Sequence, residues 1–192
     1  VGGGGGSVLT GLAERNITVT LNKDNSGNGG DIRFSPVGDV VTTGNRSTGI
    51  FLQSVAGGGG SVDRMFAGSA GGLGSSGDID LTMAGNLSTF GSDSTGIFAQ
   101  SASGQGDSGR VTVTSNGHIT TSGQRSPAIV AQSISGSGAS GGVHVTHSGA
   151  ILTRGSHSDG INASSIGDNG YVKIASSGSI VTLGDSSDGI QA

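Results

Sequence analysis

A block of 17 residues recurs five times along this chain, and this recurrence constrains the fold more than any other feature of the sequence. Successive blocks begin 47, 32, 32 and 29 residues apart, but the spacing inside the block does not vary. Its first residue is Gly, a second Gly follows six residues later, and Gly or Ala128 follows five residues after that. A unit of fixed internal spacing is typical of a repeat architecture. The blocks begin at Gly38, Gly85, Gly117, Gly149 and Gly178.

Three columns of the aligned blocks are invariant within the chain, and a short alternating segment precedes each block. The invariant columns are Thr42, Thr89, Thr121, Thr153 and Thr182; Ser47, Ser94, Ser126, Ser158 and Ser187; and Ile50, Ile97, Ile129, Ile161 and Ile190. The preceding segments start at Ile32, Ile79, Val111, Val143 and Val172. Each unit therefore contains three runs of period-2 alternation separated by Gly-rich corners, which indicates three short strands.

Strands of three to five residues do not form a stable sheet alone, but they can pair with their copies in the coils above and below. Such stacking produces parallel sheets whose strands lie about 4.8 Å apart. The pattern therefore predicts an all-β fold, a parallel β-solenoid of about five to six coils with three short strands per coil. The fixed glycines are expected at corners that need a positive φ or a close approach of two chains.

We expect a single solenoid segment over 1–192, with a loop or insertion and a partial coil over 1–29 and five coils over 30–192. The opening stretch 1–7 parallels 55–61, in which a valine also precedes a glycine run and a serine. The chain is therefore expected to be an internal piece of a longer array, because neither end supplies the polar cap that a solenoid needs.

Period-2 alternation assigns the two faces of the third run. The inward residues are expected to be Ile50, Leu52, Ile97, Ala99, Ile129, Ala131, Ile161 and Ala163. The outward residues are expected to be Phe51, Phe98, Val130, Asn162 and Gln191, with Gln53, Gln100 and Gln132 as a short outward amide ladder. The inward threonine column is expected to exchange hydroxyl hydrogen bonds up the stack while its methyl groups pack.

The outward aromatic pair is the best candidate for binding a partner, because an exposed apolar patch can dock a peptide, a sugar or a second fibre. The partner-binding surface is predicted to comprise Phe51, Phe98, Gln53, Gln100 and Gln132. The alternative is that the insertion at 55–76 folds back and covers the two rings. Any further specificity is expected in the insertions 8–29 and 55–76, which lie at corners where extra length does not disturb the stack.

Composition narrows the functional classes. The 192 residues include 41 Gly and no Cys, and the net charge is −4. Without Cys there is no disulfide framework and no thiolate metal site. Mild acidity without basic clusters argues against a nucleic-acid partner, and no apolar run reaches membrane-spanning length. Hydrophobic residues make up 31% of the chain and recur at regular spacings, which argues against disorder.

Two groups of polar residues suggest chemistry, but neither predicts a site. The histidines are expected to be mostly exposed and to form no metal site; they are His118, His144, His147 and His157. Asp159 and Asp188 share one column in adjacent coils, where paired carboxylates raise one pKa or attract a cation. Glycoside hydrolysis also needs paired acids, but only two coils contribute acids here and no basic residue recurs beside them. We therefore expect no catalytic residue, no cofactor and no metal.

At these blocks the chain resembles the passenger region of bacterial autotransporters of the type V secretion class. The likeness rests on GIFLQSVAGGGGS at 49–61, GIFAQS at 96–101 and AIVAQSISGSG at 128–138, each after a T-x-G-x-x-S turn. It implies a right-handed β-helix exported through the outer membrane by a C-terminal β-barrel of the same polypeptide. It also implies a place at the bacterial cell surface and a role in adhesion, aggregation or biofilm formation.

The preferred interpretation from the sequence is a rigid stalk and adhesive segment, not an enzyme. Its partner would be a host or bacterial surface protein or glycan, or a second copy of the chain. One alternative is a β-helix carbohydrate-active enzyme of the polysaccharide lyase or glycoside hydrolase type, which would need three or more converging acids, or acids with Arg or Lys. The other is a two-partner-secreted exoprotein similar to filamentous haemagglutinin, which would share the fold but use a different exporter.

Overall fold

Three five-stranded parallel sheets form the walls of the molecule, and each sheet takes one strand from every coil. The structure, a computed structural model, describes residues 27–56 and 73–192 in full and the backbone of the short strands at 7–8, 60–62 and 65–67. The strands are β1 (Ser7–Val8), β2 (Ile32–Phe34), β3 (Val40–Thr42), β4 (Ile50–Val55), β5 (Gly60–Val62), β6 (Met65–Ala67), β7 (Ile79–Ala84), β8 (Leu87–Thr89), β9 (Ile97–Ser103), β10 (Val111–Asn116), β11 (Ile119–Thr121), β12 (Ile129–Ala139), β13 (Val143–Ser148), β14 (Ile151–Thr153), β15 (Ile161–Asp168), β16 (Val172–Ser176), β17 (Ile180–Thr182) and β18 (Ile190–Gln191).

The order of strands in each sheet follows the order of the coils. The first sheet is β2-β7-β10-β13-β16, the second is β3-β8-β11-β14-β17, and the third is β4-β9-β12-β15-β18. All neighbouring strands in these three sheets are parallel. The prediction of an all-β parallel solenoid with three strands per coil is therefore confirmed, with about five coils and no helix among the described residues.

A small fourth sheet has the order β1-β5-β6. Strand β1 is parallel to β5, and Ser7 pairs with Ser61, the residue that the sequence makes its equivalent. Strand β5 is antiparallel to β6. The predicted insertions 8–29 and 55–76 fall mostly outside the described residues.

The core is a set of stacked apolar columns between the three sheets. In the third sheet Ile50, Ile97, Ile129, Ile161 and Ile190 pair in register from coil to coil. Ile97, Ile129 and Ile161 are completely buried, as the alternation predicts. The first sheet adds valine, isoleucine and leucine columns, and the second adds Leu87, Ile119 and Ile151. The parallel register arises because every coil keeps the same spacing inside its block.

Two glycine columns serve the corners in different ways. The first Gly of the block has a positive φ in four coils, for example 135° at Gly85 and 130° at Gly117. The second Gly has no such φ but lies against the coil before it, since a Cβ on Gly123 would lie 1.9 Å from the carbonyl oxygen of Gly91. Both reasons expected from the sequence, positive φ and close approach, are therefore confirmed.

A third column of corner residues has a positive φ, although none of its members is glycine. The residues before the invariant serines have φ between 50° and 59°; they are Arg46, Asp93, Arg125, His157 and Ser186. L-residues other than Asn and Asp avoid this region, but the Asp93 N–H donates to Gln124 O at 2.8 Å and the Arg125 N–H to Ser156 O at 2.9 Å. These bonds between coils hold the turn. Arg125 also donates to Asp93 through Nε at 2.7 Å and Nη2 at 3.0 Å, which raises the pKa of Arg125.

Candidate interaction surface and the polar columns behind it

The two predicted aromatic residues lie together on the outer face of the third sheet. Phe51 on β4 and Phe98 on β9 pair in register, with ring centroids 5.0 Å apart and ring planes 9° from parallel. Phe51 is 39% exposed and Phe98 is half-buried. Val130 follows in the same column on β12. These two rings form an aromatic ridge, and its ability to bind a partner stays a prediction.

The ridge is continuous with an apolar opening at the first coil. A cavity of about 300 Å³ lies there, and its walls include Phe51 together with Phe34, Val40 and Ile50. Phe34 is 44% exposed. A mostly apolar concavity of this size lies at the lower end of the range for small ligand sites. This cavity lies at the end of the described stack, beside core residues of the first coil.

The predicted amide ladder forms, but its members are not exposed as expected. Gln53 Nε2 donates to Gln100 Oε1 at 2.8 Å, and Gln100 Nε2 donates to Gln132 Oε1 at 2.9 Å. Gln53 is only 2% exposed and Gln100 only 3%, so the predicted exposure of these two residues is wrong. The hydrogen bonds between successive amides lower the cost of burying them, although Gln53 Oε1, at the start of the ladder, is buried without a hydrogen-bond partner. The surface open to a partner is therefore the aromatic ridge with the half-buried Gln132.

We expect Gln100→Met to lower the free energy of unfolding by about 1–3 kcal/mol, because it leaves the Gln53 amide without an acceptor and the Gln132 carbonyl without a donor. Methionine has a similar length, so the change removes hydrogen bonds with little loss of volume. Urea unfolding monitored by circular dichroism measures the effect. Gln124→Met, at an exposed position, is the control and should change stability little. Equal stability of both variants would show that the ladder contributes nothing.

A serine at the end of the third strand, which the sequence did not single out, closes the first two coils. Ser54 Oγ donates to Gly30 O at 2.9 Å and accepts from Gly77 N at 2.9 Å. Ser101 Oγ likewise donates to Gly77 O at 2.8 Å and accepts from Gly109 N at 2.9 Å. Each serine thus ties the end of a third strand to the starts of two successive coils. In the sequence this position is visible as the serine that ends the block. Its hydrogen bonds do not depend on how many residues follow the serine at the corner.

The invariant serine column, and not the threonine column, makes the hydroxyl hydrogen bonds between coils that were expected of the threonines. Ser94 N donates to Ser126 Oγ at 2.9 Å, so the serine column makes the hydroxyl bonds up the stack. Thr89 Oγ1 donates to Ser94 O at 2.7 Å, within its own coil. The expectation that threonines bond from coil to coil is wrong, because the turn carbonyl five residues later lies within reach of the single hydroxyl proton. Thr121 Oγ1 is the exception in its column: it is buried without a partner.

The acidic pair also has a structural use. Asp159 Oδ1 accepts the backbone N–H of Asp188 at 3.0 Å, and Asp159 Oδ2 accepts Asn162 Nδ2 at 3.1 Å. The same arrangement occurs at Asp78, whose Oδ1 accepts the N–H of Arg110 at 2.7 Å. Corner carboxylates therefore act as acceptors for the coil that follows. In the part of the chain that the structure describes, no group of three or more His, Cys, Asp or Glu residues could hold a metal ion.

The histidines fall into two environments. His118 and His157 are exposed, and His144 makes an edge contact with the Tyr171 ring, with centroids 5.3 Å apart. His147 is only 1% exposed, so the expected surface position is wrong for this residue. Strand β13 extends to Ser148, and its alternation therefore places His147 inward with the valines before it. Burial lowers the pKa of His147.

These sheets and columns define the chain as a parallel β-solenoid with three sheets. Comparisons with protein-family models, with curated proteins and with solved structures find no match. In the described residues there is no helix of the length and hydropathy needed to cross a membrane.

Proposed function

We propose that this solenoid is a structural and adhesive segment of a bacterial autotransporter passenger, serving as a rigid stalk and taking part in adhesion or aggregation. The observation that carries this proposal is the continuous stacking of three five-stranded parallel sheets around one apolar core. Five coils rise about 20–25 Å along the stack axis. A rod built from identical layers holds a surface at a distance from its attachment point, which is what a stalk requires.

The use of the polar side chains supports a structural role over catalysis. Described corner residues such as Asp78 and Asp159 accept backbone N–H groups of the next coil, and the serine columns bond between coils. A catalytic site needs polar groups that converge on a substrate, whereas these groups are already engaged within the stack. The proposal therefore assigns the chain no reaction.

The resemblance to autotransporter passengers supports a place at the bacterial cell surface, reached through the outer membrane by a C-terminal barrel of the same polypeptide. The aromatic ridge is the proposed contact surface. Its partner is a host or bacterial surface protein or glycan, or a second copy of the chain. An apolar ridge half-exposed beside polar corners suits such a contact, because aromatic residues at the centre of an interface supply most of its binding energy.

Adhesion of the purified chain to cells, matrix proteins and glycans, and its self-association, should fall about tenfold or more in a Phe51→Val/Phe98→Val variant. Valine is chosen because Val130 occupies the same column in the third coil, so the sheet should stay intact. The matched control is Phe90→Ser, which removes another exposed aromatic ring from a corner. Unchanged adhesion of the double variant, or equal loss in the control, would contradict the proposed contact surface.

A further inference from the structure

His147 occupies a position that an ionisable side chain rarely takes. It is 1% exposed, and neither Nδ1 nor Nε2 makes a hydrogen bond. Its register partners in the coils on either side are Ser115 and Ser176. The hydroxyl of Ser115 is buried and also lacks a partner. The imidazole therefore lies in the core without a hydrogen bond or a carboxylate to offset its burial, and only backbone groups of Gly149 and Ser115 favour its charged form.

The ionisable groups around His147 do not compensate for its burial. Desolvation is the largest cause of its lowered pKa, and the charge of His118 lowers it further, while backbone groups of Gly149 and Ser115 partly oppose the shift. Strands β10 and β12, which pack against β13, carry no ionisable side chain. On the remaining neighbours, Lys173 pairs with His144 in register and Asp168 is an exposed end residue of β15. No carboxylate contributes to the shift.

We propose that His147 makes this solenoid acid-sensitive: protonation of the buried imidazole opens the coils from β13 onward at mildly acidic pH. Each coil of a solenoid contacts only its neighbours, so a charge in the fourth coil weakens its contacts with the third and the fifth. Among the strands that the structure describes, β16, β17 and β18 each pair with the strand of the fourth coil in their sheet, so they lie directly beyond the coil that carries His147. This inference rests on the geometry of the core and not on the proposed function.

The direction of the pH dependence follows from the lowered pKa. The unfolded chain binds a proton at His147 near pH 6.5, and the folded chain binds it only at lower pH. Stability is therefore full above about pH 7 and falls as the pH drops below 6.5 towards the pKa of the folded state. The unfolding equilibrium constant should rise about tenfold for each pH unit in this window.

The test compares urea unfolding at pH 7.5 and pH 5.5 for the whole chain and two variants. His147→Met removes the charge, and Met83 fills the same column in the second coil, where it is fully buried. His144→Thr is the control, because Thr112 occupies that column. The unfolding constant of the wild type and the control should rise between the two pH values, by up to about tenfold, whereas that of His147→Met should change much less. An equal acid response in His147→Met would overturn the proposal.

Three further measurements keep the test decisive if His147→Met folds poorly. His147→Ser copies the neighbouring Ser115 and Ser176, and it should also lose the acid response. Hydrogen exchange at pH 5.5, corrected for intrinsic rates, should increase in β13–β18 and not in β2–β4. An NMR titration in which His147 of the folded chain protonates at or above pH 6.5, or exchange that rises evenly in all coils, would contradict the proposal.

Discussion

Gly123→Ala is expected to lower the free energy of unfolding by about 3 kcal/mol or more, which is at the upper end for overpacked sites. A Cβ at this position would lie 1.9 Å from the carbonyl oxygen of Gly91 and 2.3 Å from its carbonyl carbon. Both are backbone atoms of the preceding coil, so no side chain can rotate away. Neighbouring strands lie about 4.8 Å apart in a parallel ladder, and separating two coils by enough to admit the methyl group breaks their hydrogen bonds.

Gly189→Ala is the matched control for this prediction. The nearest atom to a Cβ on Gly189 lies at 3.8 Å, and the same column already holds Ala128 in the third coil. Its effect should stay within about 1 kcal/mol, because alanine also reduces the conformational entropy of the unfolded chain. Urea or thermal unfolding of both variants gives the comparison. If Gly123→Ala proves as stable as Gly189→Ala, the coils are not held at the spacing that we describe.

The features that the sequence predicted well depend on a constant count inside the block. Three alternating runs predicted three strands per coil, and the equal spacing within the block predicted that Phe51 lies beside Phe98. In a parallel stack, equivalent residues stay paired when every coil has the same number of residues between two positions of the block. The pairing is therefore insensitive to the long corner between the first two coils, where the blocks begin 47 residues apart.

The features that the sequence did not predict depend on what surrounds a side chain more than on its odd or even position along the strand. Alternation places a side chain on one face, but it does not say whether that face meets solvent, and so the burial of Gln53 and Gln100 was missed. For His147 the error lay in the end of strand β13, which continues three residues past the Val-x-Val segment that marked the run. Thr89 donates to Ser94 O because of the conformation of the turn between them, and the alternation of the sequence carries no information about that turn.

Ile129→Ala should lower the free energy of unfolding by about 2–5 kcal/mol, the range for removing a large aliphatic side chain from a packed core. Ile129 is completely buried and pairs in register with Ile97 on one side and Ile161 on the other. Truncation leaves a cavity between two isoleucines, and the paired backbones hold the coils apart, so the site cannot collapse to fill it. Urea unfolding monitored by circular dichroism measures the loss.

Ile190→Ala tests whether that cost comes from enclosure between coils. Ile190 belongs to the same column, but it is 48% exposed and pairs only with Ile161. Because about half of its surface already meets solvent, its truncation should cost well under half as much as that of Ile129. Equal losses at the two positions would mean that intrinsic strand preference, and not burial between layers, gives the isoleucine column its stabilising effect. A large difference would show that the contacts between coils stabilise the solenoid. Gly123 allows neighbouring coils to approach closely, and Ile129 packs between the isoleucines of the coils on either side.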